Sequence, residues 1–179
     1  MLATDKKYTD AERLANVIES LDRVPDYMKQ MIFDMSMGMT EQEIIKSFNQ
    51  KAVDLFDMVA SIIEKLKISH TYKVVGYRNM FNLAVKTNFK LPVDRFTLML
   101  LEFAAEIYKG DENCFLDMPI PDKKFAVENE FGMIRSEQFK SLWRSLGTED
   151  KNIVKQEIIA LTTFAHCYLY KSAIKTWKR

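Results

Sequence analysis

Glycine and proline are scarce in this sequence, at five and four among 179 residues. A chain of many short strands needs turn residues at every corner, so their scarcity disfavours an all-β plan and favours long helices. Cysteine is almost missing. Cys114 and Cys167 stand far apart and in no C-x-x-C arrangement, which excludes a disulfide framework and points to free thiols in a reducing compartment. The first residues, MLATDKKYTDAER, contain no apolar run, so no signal peptide is expected. No stretch reaches the length of a membrane span, and even TLMLLEFAAEIY is interrupted by Glu102 and Glu106. A charge of one sign is lacking as well. The net charge of +1 gives no global pull toward nucleic acid or a membrane surface. These absences together predict a soluble, intracellular protein without membrane insertion, either cytoplasmic or incorporated into a larger assembly.

Catalytic signatures are also wanting. Phosphate-binding glycine loops, G-x-S-x-G and H-E-x-x-H are all absent. The E-x-x-H of four-helix diiron sites is absent too. That shifts the weight toward a protein that is not an enzyme, with no cofactor and no evident small-molecule substrate.

What is present is helical pattern. Hydrophobic residues make up 47% and charged residues 28%, a globular balance. Thr9 and Glu12 have capping-box spacing, and Ala11, Leu14, Ala15, Ile18 and Leu21 follow as one apolar stripe at helical period. Pro25 suits the first turn of a second helix and Gly38 its end. Thr40 and Glu43 repeat the capping box and open a third segment through Phe48. Ala52, Leu55, Phe56, Val59, Ile62, Ile63 and Leu66 form a long stripe backed by charge. Residues 72–87 read as a helix with Val74, Tyr77, Phe81, Ala84 and Val85 inward. VDRFTLMLLEFAAEIYK, opened by Pro92 and closed by Gly110, is apolar nearly all round and is expected to be the central helix. DENCFLDMPIPDKK reads as an irregular loop near 110–124. A short helix over 136–146 ends at Gly147. Thr148 caps a last helix with Val154, Ile158, Leu161, Ala165 and Tyr168 on one side. The expected fold is all-α, a single-domain helical bundle of about seven helices over residues 1–179.

DMSMGM, residues 34–39, has the M-x-M spacing by which thioethers can bind Cu(I). At 100° per residue, however, Met28, Met31 and Met35 share a face with Ile32, while Met37 lies opposite and Met39 follows the turn at Gly38. The first three are expected in the core as adaptable filler. Met37 and Met39 remain as a pliable patch for a partner.

GMTEQEIIKSF, 38–48, resembles the G-[LM]-[ST]-x-x-E-I opening of helix-turn-helix DNA-binding domains, over about eleven residues. The resemblance implies a turn and a new helix cap near 50–51 and a recognition helix beyond. The sequence departs from that pattern with Ile45 where a small residue is needed, with Gln50 and Lys51 at the cap, and with Asp54 and Asp57 where phosphate would approach.

The densest basic stretch is 65–95, where Lys65, Lys67, Lys73, Arg78, Lys86, Lys90 and Arg95 are interleaved with Tyr72, Tyr77 and Phe89. It supplies the alternative reading, a nucleic-acid-binding helical domain. The carboxyl end, KSAIKTWKR, is basic and aromatic; Lys171, Lys175, Trp177, Lys178 and Arg179 are candidates for a partner contact. Adjacent His166 and Cys167 point in different directions on a helix and form no dyad, and with His70 and Cys114 they match no zinc-ligand spacing. Glu102 and Glu106, four apart, are the carboxylate pair from which a dispersed active site, the second alternative, would be built. The leading expectation is a non-catalytic protein acting through protein–protein contacts or self-association: an adaptor, a scaffold, or a structural or accessory component of a particle such as a virion.

Overall fold

A computed structural model describes residues 10–67, 74–111 and 136–177. Within them lie eight helices and no strand: α1 (Asp10–Asp22), α2 (Asp26–Gly38), α3 (Glu41–Lys65), α4 (Val74–Thr87), α5 (Leu91–Leu101), α6 (Ala104–Lys109), α7 (Ser136–Ser145) and α8 (Thr148–Trp177). The fold is all-α. The loop expected near 110–124 falls outside the described residues from 112 onward, as do His70 and Cys114.

The capping box at Thr40 forms as its spacing requires. Thr40 Oγ1 accepts from the Glu43 N–H at 3.1 Å, and Glu43 Oε1 accepts from the Thr40 N–H at 3.4 Å. The helix it opens does not stop at Phe48. The two stripes, 40–48 and 52–66, are one helix of 25 residues, because Ile44, Ile45, Phe48, Ala52, Ile62 and Ile63 keep a single buried face in phase. Unbroken α-helix through Asn49, Gln50 and Lys51 removes the turn that a helix-turn-helix would need.

The expected central helix is instead two. α5 ends at Leu101; Phe103 leaves helical geometry at φ −117 and ψ 17, and α6 restarts at Ala104. The break lets one all-round apolar run serve two cores. Leu100 and Ile107 join the main cluster with Phe48, Ile63, Val93 and Trp143. Leu101, Ala104 and Ala105 turn to a second cluster with Val17 and Val24. Gly110 closes α6 in the left-handed region, at φ 71, which a side chain would resist.

The central element is α8. Its 30 residues, about 45 Å of helix, pack against α2, α3, α5 and α6. Val154, Ile158 and Ala165 are buried as their stripe predicts, with Leu161 and Tyr168 half-buried. Thr162, Thr163, His166 and Cys167 are buried as well, so this helix is enclosed on several sides. The two threonine hydroxyls donate to the carbonyls of Ile158 and Ile159, each at 2.8 Å, and thereby enter an apolar interior satisfied.

Candidate functional site

The periodicity of α1 places its apolar stripe inward; the structure turns Ala11, Leu14, Ala15 and Ile18 outward, while Leu21 is half-buried against the cluster of Val17 and Val24. Leu14 is 47% and Ile18 54% exposed, and Ala11 and Ala15 are exposed beside them. What α1 buries is the neighbouring edge, Val17 and Ser20. The reason is a close approach that only a small polar residue permits: Ser20 Oγ, fully buried, accepts from the Ala105 N–H at 3.1 Å. That N–H belongs to the first turn of α6 and has no partner within its own short helix. Val17 and Val24 then pack on Leu101, Ala104 and Ala105. Capping α6 therefore turns α1 so that Leu14 and Ile18 face away from the core. Glu12, Glu19 and Asp22 are exposed along the rim of that face.

The apolar exposure continues in α2. Ile32 and Ser36 are its buried line, with Met28 and Met35 packed against the cores and Lys29 half-buried. Met31, expected in the core, is 43% exposed: it lies 100° from Ile32, on the shoulder with exposed Tyr27. The other shoulder carries exposed Phe33 and Met37. Met39 is half-buried and packs against the cluster of Ile32, Ile44 and Cys167, so Met37 alone of the two candidate methionines faces outward. Six of the nine large exposed hydrophobic residues among those described belong to α1 and α2.

Neither α1 nor α2 has a basic residue in its last turn, and each receives a lysine from outside it. Lys29 Nζ donates to the Asp22 carbonyl at 3.4 Å, and Lys171 Nζ donates to the Ser36 carbonyl at 3.2 Å. Both meet the negative end of a helix dipole. Lys171 is therefore held against α2. Lys175 and Trp177 lie in the last turns of α8 with undescribed side chains, and Lys178 and Arg179 lie outside the described residues.

In the basic stretch, cations meet the chain's own carboxylates. Lys65 pairs with Asp150 at 3.1 Å, Arg78 with Asp57 at 2.6 Å and Lys90 with Glu41 at 3.2 Å. These pairs tie α3 to α8, α4 and the start of α5. Lys67 and Lys86 are exposed, and Lys73 lies outside the described residues.

The interior holds the remaining chemistry. Glu102 follows the end of α5 and Glu106 lies in α6, and Arg23 pairs with Glu106 at 2.6 Å. His166 and Cys167 diverge as adjacent helical residues must. Cys167 Sγ donates to the Ile32 carbonyl of α2 at 3.7 Å, and burial raises its pKa. His166 is fully buried. Its Nδ1 lies 3.3 Å from the Tyr108 hydroxyl of α6, its ring sits 4.7 Å from that of Tyr170, and its Nε2 has no hydrogen-bond partner. Desolvation, aided by the positive charge of Lys29, lowers its pKa from 6.5 to about 4, so the ring is neutral at pH 7. The Tyr108 hydroxyl is pushed well above the usual phenol range, chiefly by burial. Neither group is poised to exchange protons near neutrality. Tyr108 lies 58 positions from His166, and no sequence spacing signals the pair. No group of three or more His, Cys, Asp or Glu residues among those described is placed to hold a metal ion.

Fold and surface together define an all-α protein with exposed apolar side chains on α1 and α2 and a hydrophobic interior that encloses His166 and Cys167. No described helix is long and apolar enough to cross a membrane. The chain is 54% identical over 164 residues, 92% of its length and 91% of the relative's, to "Uncharacterized protein R465" of Acanthamoeba polyphaga mimivirus. It belongs to the family of that protein. No family model matches the chain, and no solved structure does.

Proposed function

We propose that the chain is a non-catalytic helical protein that works through protein–protein contacts, as an adaptor, scaffold or assembly component. The observation that carries this reading is the outward apolar face of α1, with Leu14 and Ile18 each about half exposed in a helix that buries its neighbouring edge, Val17 and Ser20, instead. Leaving two such side chains in water forgoes roughly 1 kcal/mol each, a loss that docking to another protein recovers. Tyr27, Met31, Phe33 and Met37 add amphipathic and pliable side chains of the kinds favoured at interfaces. The ion pairs that engage Lys65, Arg78 and Lys90 weigh against the nucleic-acid alternative. The burial of His166, whose imidazole is neutral at pH 7, weighs against an enzyme built on it. Kinship with a mimivirus protein supports the finer form of the reading, a structural or accessory component of a virion.

The test is chemical crosslinking in the native source, followed by mass spectrometry of the species that contain this chain. The reading expects crosslinks to a protein neighbour or to a second copy. A chain recovered as an uncrosslinked monomer throughout contradicts it.

A further inference from the structure

His166 is fully buried with Nε2 unpartnered, a costly arrangement at a core position that an apolar side chain could fill. Its neighbours come from three helices. Tyr108 of α6 meets Nδ1, the ring of Tyr170 in α8 lies tilted against the imidazole at 4.7 Å, and α2 brings Lys29, close enough for its charge to bear on the ring. Cys167 follows directly in α8. Burial raises the pKa of Tyr108, Tyr170 and Cys167, so none of these three is an anion near neutrality. α3 adds only apolar Ile44 to the cluster that contains Cys167 and packs on Tyr108 and Tyr170. A proton on His166 is therefore a second cation set against Lys29, with no anion among these groups to offset it.

That repulsion acts across one seam. Lys29 belongs to α2 and His166 to α8, the described helix against which α2 packs most extensively. Across the seam Cys167 Sγ makes a weak thiol bond to the Ile32 carbonyl, and Lys171 Nζ donates to the Ser36 carbonyl. The apolar contact is Ile32 with Met28, Met35 and Met39, whose thioether side chains repack easily. The main cluster, with Phe48, Ile63, Val93, Trp143 and Val154, contains no residue of α2.

We propose that His166 is an acid-operated latch: when its ring takes up a proton, α2 parts from α8 and admits water to the imidazolium, while the main core on α3, α5 and α8 stays folded. The movement uncovers Ile32, Met28 and Met35, apolar surface that is closed at neutral pH. It does not depend on the contact reading above. With the ring at about 4 when closed and 6.5 when open, the open-to-closed ratio rises about eightfold from pH 7 to 5.5 and about 60-fold by pH 4.5.

The test reads the exposure of Cys167 Sγ, which α2 covers through the Ile32 carbonyl. The full chain is labelled at pH 7, 5.5 and 4.5 with a dithiodipyridine, which reacts with thiols in mildly acid solution. Peptide mass spectrometry locates the label at Cys167, and each rate is divided by that of the urea-unfolded chain at the same pH. Far-UV circular dichroism follows the same samples. The wild type shows the rise given above while its helical signal holds. His166→Phe labels at one relative rate throughout. Lys29→Glu, which supplies the missing anion, cuts the rise at pH 4.5 by about threefold or more. Labelling that is flat in the wild type overturns the inference, as does a rise that survives in His166→Phe. So does labelling that grows only as the helical signal collapses, since the whole fold then opens rather than α2. Should His166→Phe fail to fold, Lys29→Glu decides, and an undiminished rise in that variant overturns the latch.

Discussion

Replacing His166 by phenylalanine should flatten the acid limb of the stability profile. His166 is neutral in the fold, with its pKa lowered to about 4 against 6.5 when unfolded, because burial and Lys29 both disfavour the imidazolium. The groups around it include the Tyr108 hydroxyl of α6, Lys29 of α2, and Cys167 and Tyr170 of α8. None of them offers a negative charge at neutral pH to hold the cation. Above pH 6.5 both states carry the neutral ring, and the histidine adds no pH dependence. Between 6.5 and 4 the unfolded chain takes up a proton that the fold refuses, so stability falls with decreasing pH. The loss reaches about 3 kcal/mol near pH 4, a large part of the 5–15 kcal/mol of an ordinary domain. Carboxylates contribute to acid unfolding in both proteins, so the informative quantity is the difference. Urea unfolding followed by circular dichroism at pH 7, 6, 5 and 4 measures it. The His166→Phe chain, which keeps a ring between Tyr108 and Tyr170, should lose less stability than wild type over this range, by about 2–3 kcal/mol. Parallel profiles would refute the account of a neutral, desolvated histidine.

Thr40→Ala removes the capping box of α3 and should cost about 1 kcal/mol in urea unfolding, with Thr40→Ser restoring most of it. Phe48→Ala, at the heart of the main cluster, should cost about 3–5 kcal/mol, whereas Ile18→Ala on the outward face should change stability by no more than about 0.5 kcal/mol. Lys171→Met should destabilise by about 1 kcal/mol through the end of α2, and less so at high salt. Fluorescence anisotropy with labelled duplex DNA and single-stranded RNA should show no tight binding at physiological salt; salt-dependent binding that falls on reversing Lys67 and Lys86 would revive the nucleic-acid reading.

The helical class was legible because local signals agree with the fold. The scarcity of glycine and proline, the Thr40–Glu43 box and the stripes of α3 and α8 all appear in the structure as their spacing implies. The reading failed where a long-range contact overrode a local pattern. The stripe of α1 obeys helical period faithfully, yet a hydrogen bond from Ala105 to Ser20, 85 positions away, turns the helix the other way. The 93–109 run is apolar all round, so periodicity has no phase by which to mark the break at Phe103. The element that packs against most of the others is α8 instead. In DMSMGM the wheel separated Met37 from the buried line correctly. It could not foresee that Met31 falls on an exposed shoulder, or that Met39 tucks against Cys167 after the turn.

The most direct test of the central claim, that this chain acts by contact, is crosslinking in its native source with identification of the linked peptides. The account predicts protein neighbours whose crosslinks map to α1 and α2, around Leu14, Ile18, Tyr27 and Met37. A monomer that captures nothing at any crosslinker length, or crosslinks that all fall on other faces and leave α1 and α2 bare, would contradict it.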